Sequence, residues 1–203
     1  MSTTPINSIT FKAVAADTNS IASSQTTSEA ADLTLSSASV NDGSNMASTV
    51  TIKSLTADNS SITFNVQGTD ANGDAAVELT ITGPGAGATV TTSTAFLTVT
   101  TVTANAAIPG TVEVGFTATT TTTGIVFAGA TRVRGMHGVS SSTAGAAIIR
   151  EASQTGSKLL EIDTPAAAGQ VDPYIPDEGI RYRQGAYIDI GAGYDSATIF
   201  FDG

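Results

Sequence analysis

Cysteine and tryptophan are absent from the 203 residues, histidine occurs once, and only eight residues are lysine or arginine. Each shortage removes a class of function. Without cysteine there is no disulfide, no thiolate zinc site and no cysteine nucleophile, so stability has to come from packing or assembly. A single histidine, His137, rules out a multi-histidine metal centre. Eight cations against eighteen acidic residues leave a net charge of −10. That balance argues against a nucleic-acid partner, because neutralisation of phosphates by Lys and Arg supplies most of such affinity. Nowhere do about 18 uncharged apolar residues run together, and the opening MSTTPINSIT has neither a basic n-region nor an apolar h-region. The expectation is a chain made in the cytoplasm, with no membrane partner.

What the chain does contain is alternation. In SITFNVQGTDANGDAAVELTIT, Ile62, Phe64 and Val66 alternate with polar residues, as do Val77, Leu79 and Ile81 beyond the TDANGD interruption. Two period-2 runs around an Asx/Gly cluster predict a β-hairpin with each apolar set on one face. Similar runs occur at Ile9–Val14, Leu33–Leu35, Thr49–Leu55, Ala95–Thr103 and Thr111–Phe116, separated by NDGSN, TADNS, GPGAG and NAAIPG. This spacing is that of an Ig-like β-sandwich over residues 1–116, with the first part as an arm or edge strand.

The Thr-rich TATTTTTG, residues 117–124, reads as an extended linker, since threonine favours extended backbone. Beyond it the composition shifts: the first 116 residues hold nine acids and two bases, the remainder nine acids and six bases, five of them arginines. IVFAG, TRVRGMHG, AAIIREA, KLLEID, GIRYR, AYIDI and ATIFF predict further strands, with AAIIREA and KLLEID forming a hairpin around SQTGS. The predicted fold is therefore all-β, an N-terminal Ig-like sandwich followed at 125–203 by a second small sandwich or jelly-roll-like module. A chain of this length buries roughly 70% of its unfolded surface, enough for a real core.

Several groups invite a chemical reading, and each has a plainer one. Asp70, Asn72 and Asp74 have the 1, 3, 5 spacing of a calcium loop with Glu78 at position 9, but the glycine stands at position 4 and Ile81 replaces the bidentate glutamate. A tight hairpin turn explains the same residues, so no metal is expected. Gly83–Ala88, GPGAGA, matches a dinucleotide fingerprint in letters only, because a strand rather than a helix follows it. His137 precedes Ser140, Ser141 and Ser142 without any G-x-S-x-G context, so no catalytic residue and no cofactor is assigned. The threonine rows share only composition with ice-binding surfaces, since no fixed repeat recurs. Arg132 with Arg134, and Arg181 with Arg183, lie two apart on strand faces. They can form ladders with acids such as Glu151, Glu161 or Asp163, or contacts with a neighbouring subunit. Together with Tyr182 and Tyr187 these arginines are the subunit-interface candidates.

Two stretches carry a resemblance. Residues 61–116, with ITFNVQGTDANG, TITGP, TTSTAFLTVTTV and GTVEVG, and residues 158–203, with LLEIDTP, IPDEGIRY and ATIFF, resemble modules of structural proteins of tailed bacteriophages, marine and cyanobacterial ones in particular. The resemblance implies a non-enzymatic virion component, in the first instance a capsid decoration or cement protein. It would be located on the capsid surface, with the major capsid protein as partner and homo-oligomerisation, as a trimer, to be expected. A tail or neck component and a sugar-binding adhesin are the alternatives, the adhesin requiring an exposed aromatic platform among Tyr174, Tyr182, Tyr187 and Tyr194.

Overall fold

The computed structural model describes residues 5–119, 122–176 and 178–203. They form an all-β chain of sixteen strands. These are β1 (Ile6–Lys12), β2 (Asp17–Gln25), β3 (Ala31–Asp32), β4 (Ser48–Ser54), β5 (Thr63–Asp70), β6 (Ala75–Thr82), β7 (Thr89–Ala104) and β8 (Val112–Phe116) in the first half. The second half adds β9 (Thr122–Phe127), β10 (Thr131–Ser140), β11 (Gly145–Glu151), β12 (Lys158–Thr164), β13 (Gly169–Val171), β14 (Ile180–Tyr182), β15 (Ala186–Ile190) and β16 (Tyr194–Asp202).

The strands divide into two compact units whose borders do not follow the expected 1–116, 117–124 and 125–203. One, the terminal unit, joins Met1–Val14, Ser44–Met46 and Thr119–Gly203; the other, the central unit, holds Ala15–Gly43 and Ala47–Ala118. The reason is β1, which pairs antiparallel with β16 along its whole length, from Ile6 opposite Asp202 to Lys12 opposite Ser196. Phe11, fully buried, completes the terminal unit's core. Residues 44–46 return to the same edge: Lys12 N–H donates to the Ser44 carbonyl, Asn45 Nδ2 donates to the Thr10 carbonyl at 2.7 Å, and Met46 bridges to Gly124. The Thr-rich stretch is anchored on both sides of its middle. Thr117 N–H donates to the Thr49 carbonyl, Thr119 Oγ1 accepts from Val14 N–H, and Thr122–Gly124 open β9. Its middle, residues 120 and 121, lies outside the described residues.

The terminal unit is a two-sheet sandwich. One sheet has the order β1-β16-β10-β13, with β14 also on β10; the other has the order β12-β11-β15-β9. Val133, Met136, Ile199 and Tyr182 from the first sheet meet Val126, Ile149, Ile188 and Ile190 from the second in one buried cluster. Val133 and Met136, three apart, both face inward because β10 is irregular between Val133 and Gly135, while Arg132 and His137 face outward.

In the central unit a single ladder, β2-β8-β4-β7-β5-β6 with β3 beside β7, closes over its own core. β7 does the turning: its first half, Thr89–Phe96, pairs with β4, and its second half, Phe96–Ala104, pairs with β5. The hairpin β5–β6 forms, but its second strand departs from simple alternation. Phe64 faces Ile81 whereas Val66 faces Glu78, so Leu79 and Thr80 form a bulge opposite Asn65, with Thr80 at φ 65. A one-residue slip reverses which face each side chain takes. Ile81 is accordingly buried, while Val77 and Leu79 are 52% and 63% exposed.

Candidate interaction face

The groups that resemble chemical sites are each satisfied within the fold. The Asp70 carboxylate accepts from Asn72 N–H at 2.7 Å and Asp74 N–H at 3.1 Å, while Asp70 N–H donates to the Asp74 carbonyl and Gly73 takes φ 82. This is a side-chain-capped hairpin turn. Glu78 points elsewhere, accepting from Ser93 N–H, Ser93 Oγ and Thr94 N–H, where it closes the β7 bulge. Burial pulls its pKa upward, but those donors outweigh burial and hold the carboxyl below its ordinary value. Among the described residues no group of three or more His, Asp or Glu is placed to hold a metal ion. Chelator is therefore expected to leave the melting temperature unchanged. Asp70→Ala should cost about 1 kcal/mol equally with and without calcium, since two turn N–H groups lose their acceptor. Calorimetry in EDTA and in calcium checks both; a calcium-dependent rise lost in Asp70→Ala would contradict the turn assignment.

His137 and Ser140 belong to separate hydrogen-bond systems. His137 Nδ1 pairs with Asp172 Oδ1 at 2.7 Å on the outer face. Ser140, three residues on and buried, donates to the carbonyls of Ala167 and Gly169. GPGAGA is a turn between β6 and β7, with Ala88 N–H donating to the Gly85 carbonyl.

What remains is the outer face of the terminal unit's first sheet, where the arginines gather. Arg132 lies directly opposite Arg181 across the β10–β14 ladder. Arg132 Nη1 donates to the Glu178 carbonyl at 2.8 Å and meets the Glu178 carboxylate at 3.2 Å. Arg134 is the extra residue of a β10 bulge between Val133 and Gly135. The bulge turns its side chain onto Asp202, which it holds through Nε at 2.9 and 2.8 Å and Nη2 at 2.7 Å. That fork lowers the Asp202 pKa, and Asp202 in turn raises that of Arg134. Along the same face run His137, the Thr10–Thr198 hydroxyl pair and two exposed apolar side chains, Phe200 and Ile6.

The other interface candidates fall elsewhere. Tyr182, at 0% exposure, belongs to the unit's own core, and Tyr187, at 6%, is buried outside that cluster, so neither presents an exposed ring. Burial, with the Glu151 charge adding to it, raises the Tyr182 hydroxyl well above its ordinary value. Arg183 sits past the end of β14, separated from Arg181, and its N–H donates to the Glu151 carboxylate. The acids that pair with Arg132 and Arg134 are Glu178 and Asp202 rather than Glu151, Glu161 or Asp163; Glu161 pairs with Lys158. Tyr194 is buried as well and donates to the Ile162 carbonyl, so Tyr174, 85% exposed, stands without a second exposed tyrosine. Asp202 and Glu178 were not singled out by spacing: the bulge that brings Arg134 to Asp202 depends on pairing between strands some 70 positions apart.

The structural division also sharpens the charge division. The central unit carries nine acids and one base, the terminal unit nine acids and seven bases. No family model, no curated protein and no solved structure matches the chain.

Proposed function

We propose that the protein is a non-enzymatic structural component of a tailed-phage virion, a capsid decoration or cement protein. In this reading the terminal unit makes the contacts and the central unit faces water. The observation that carries the assignment of faces is the segregation of charge: seven of the eight cationic residues belong to the terminal unit, four of them on the first sheet's β1, β10 and β14. Arginine is enriched in interface cores, and an acidic unit nearly free of bases suits a solvated surface. The virion assignment itself rests on the resemblance of residues 61–116 and 158–203. The partners proposed are the major capsid protein and further copies of the chain, in a trimer.

The burial of Tyr182, Tyr187 and Tyr194 speaks against the adhesin, since it leaves Tyr174 as the one exposed tyrosine to stack on a sugar ring. Quantitative mass spectrometry of purified virions tests the reading. A decoration protein should match the capsid subunits in order of magnitude, whereas about a dozen copies or fewer, the number a closed ring supplies, would move the protein to the neck or tail.

A further inference from the structure

We infer that the depression between β10 and β14 is a carboxylate-binding site, built to receive an acidic side chain of a partner chain. It measures about 380 Å³ and is lined by Thr131, Arg132, Arg181, Tyr182, Asp202 and Gly203. That size suits a small ligand or one inserted side-chain group. Its central feature is the Arg132–Arg181 pair. Like charges directly opposite on neighbouring antiparallel strands repel, and the acids beside this pair, Asp202 across the β10–β16 ladder and Glu178, both lie against Arg132. Asp202 spends both carboxylate oxygens on the Arg134 fork and offers Arg132 its charge alone. Glu178, the acid on Arg132, has a side chain 92% exposed, where an ion pair is largely screened. The Arg181 guanidinium is exposed and has no acidic partner among the described residues.

A chain with eight cations in 203 residues thus places two of them at directly opposite strand positions lining one depression. A planar oxyanion between the two guanidinium groups removes the repulsion and takes hydrogen bonds from both forks, and carboxylate geometry matches the fork bidentately. The site stands on this geometry alone. It depends on the assembly reading only for the identity of the chain that brings the carboxylate.

The experiment uses the full-length chain and succinate as probe, at constant ionic strength, followed by NMR of the arginine Nε and of the amides of residues 130–132 and 181–182. Neutral succinamide and inorganic phosphate are run in parallel. Saturable shifts with succinate and none with succinamide are expected, weakened at least tenfold in Arg132→Gln and in Arg181→Gln and unchanged in Arg183→Gln. Without anion, Arg181→Gln should melt no lower than the parent, because it removes a repulsion; succinate should raise the melting temperature of the parent and not of the variant. A purely structural Arg181 would give the reverse, a variant that melts lower with or without succinate, and that result overturns the proposal. So does a linear, unsaturable response, and tighter binding of phosphate than of succinate overturns the carboxylate assignment. Succinate binding by a protein that is not found in virions leaves this site standing and removes the assembly reading; virion incorporation without succinate binding does the opposite.

Discussion

Phe11→Ala is expected to unfold the terminal unit selectively. The ring is fully buried, 186 positions away in sequence from Ala197, which it faces across the β1–β16 ladder. It lies so close to Gly124 that a Cβ at that glycine would stand 2.5 Å from it. Truncating a buried phenylalanine costs about 3–5 kcal/mol, through lost transfer energy and the cavity left behind. A domain has only about 5–15 kcal/mol to lose. The terminal unit's melting transition should therefore fall far below that of the central unit, which contains no part of β1. Calorimetry of the variant resolves the two; a uniform small shift of both transitions would contradict the assignment of Phe11 to the terminal core.

Gly68→Ala should be as damaging to the central unit. Gly68 sits where the β5–β7 register shifts, between Gln67 opposite Thr101 and Gly68 opposite Val99. A Cβ there would lie 1.8 Å from the Thr98 carbonyl oxygen and 2.8 Å from its carbon. The obstruction is backbone, which cannot rotate aside as a side chain does, so the cost should reach or exceed the upper end of the roughly 1–3 kcal/mol typical of overpacking. Gly85→Ala is the control, since a Cβ there would come no nearer than 4.0 Å to another residue's atoms, at Asp58 Oδ1. Denaturant titration should show a loss of at least about 3 kcal/mol for the first and within about 0.5 kcal/mol for the second.

The all-β class was legible because period-2 alternation is a local signal. Thr49–Leu55 became β4, Thr111–Phe116 became β8, and the AAIIREA–KLLEID pair became the β11–β12 hairpin. Alternation also contained the correct fate of Tyr182, since a strand that turns Arg181 outward turns its neighbour inward; composition alone had suggested an interface residue. Three features were not legible. β2, DTNSIASSQ, buries only Ile21 and Ala22 and offers no periodic pattern. The Thr80 bulge exposes Val77 and Leu79 by a backbone irregularity that β-branched residues rarely adopt. The β1–β16 pairing joins the two ends of the chain, and no local pattern announces which distant strand an edge will find. That last point displaced the expected domain border, and with it the usefulness of cutting at residue 117. A segment 117–203 lacks β1, Phe11 and Met46.

The division into units built this way is tested most directly by removing residues 1–14 and recording an amide correlation spectrum of the remaining chain. Resonances of the central unit, such as Val66, Val102 and Val114, should keep their positions. Those of the terminal unit, such as Val133, Ile149 and Ile199, should collapse into the unfolded envelope. Retention of dispersed terminal-unit resonances would show that this unit closes its core without β1, and would contradict its assignment to that core.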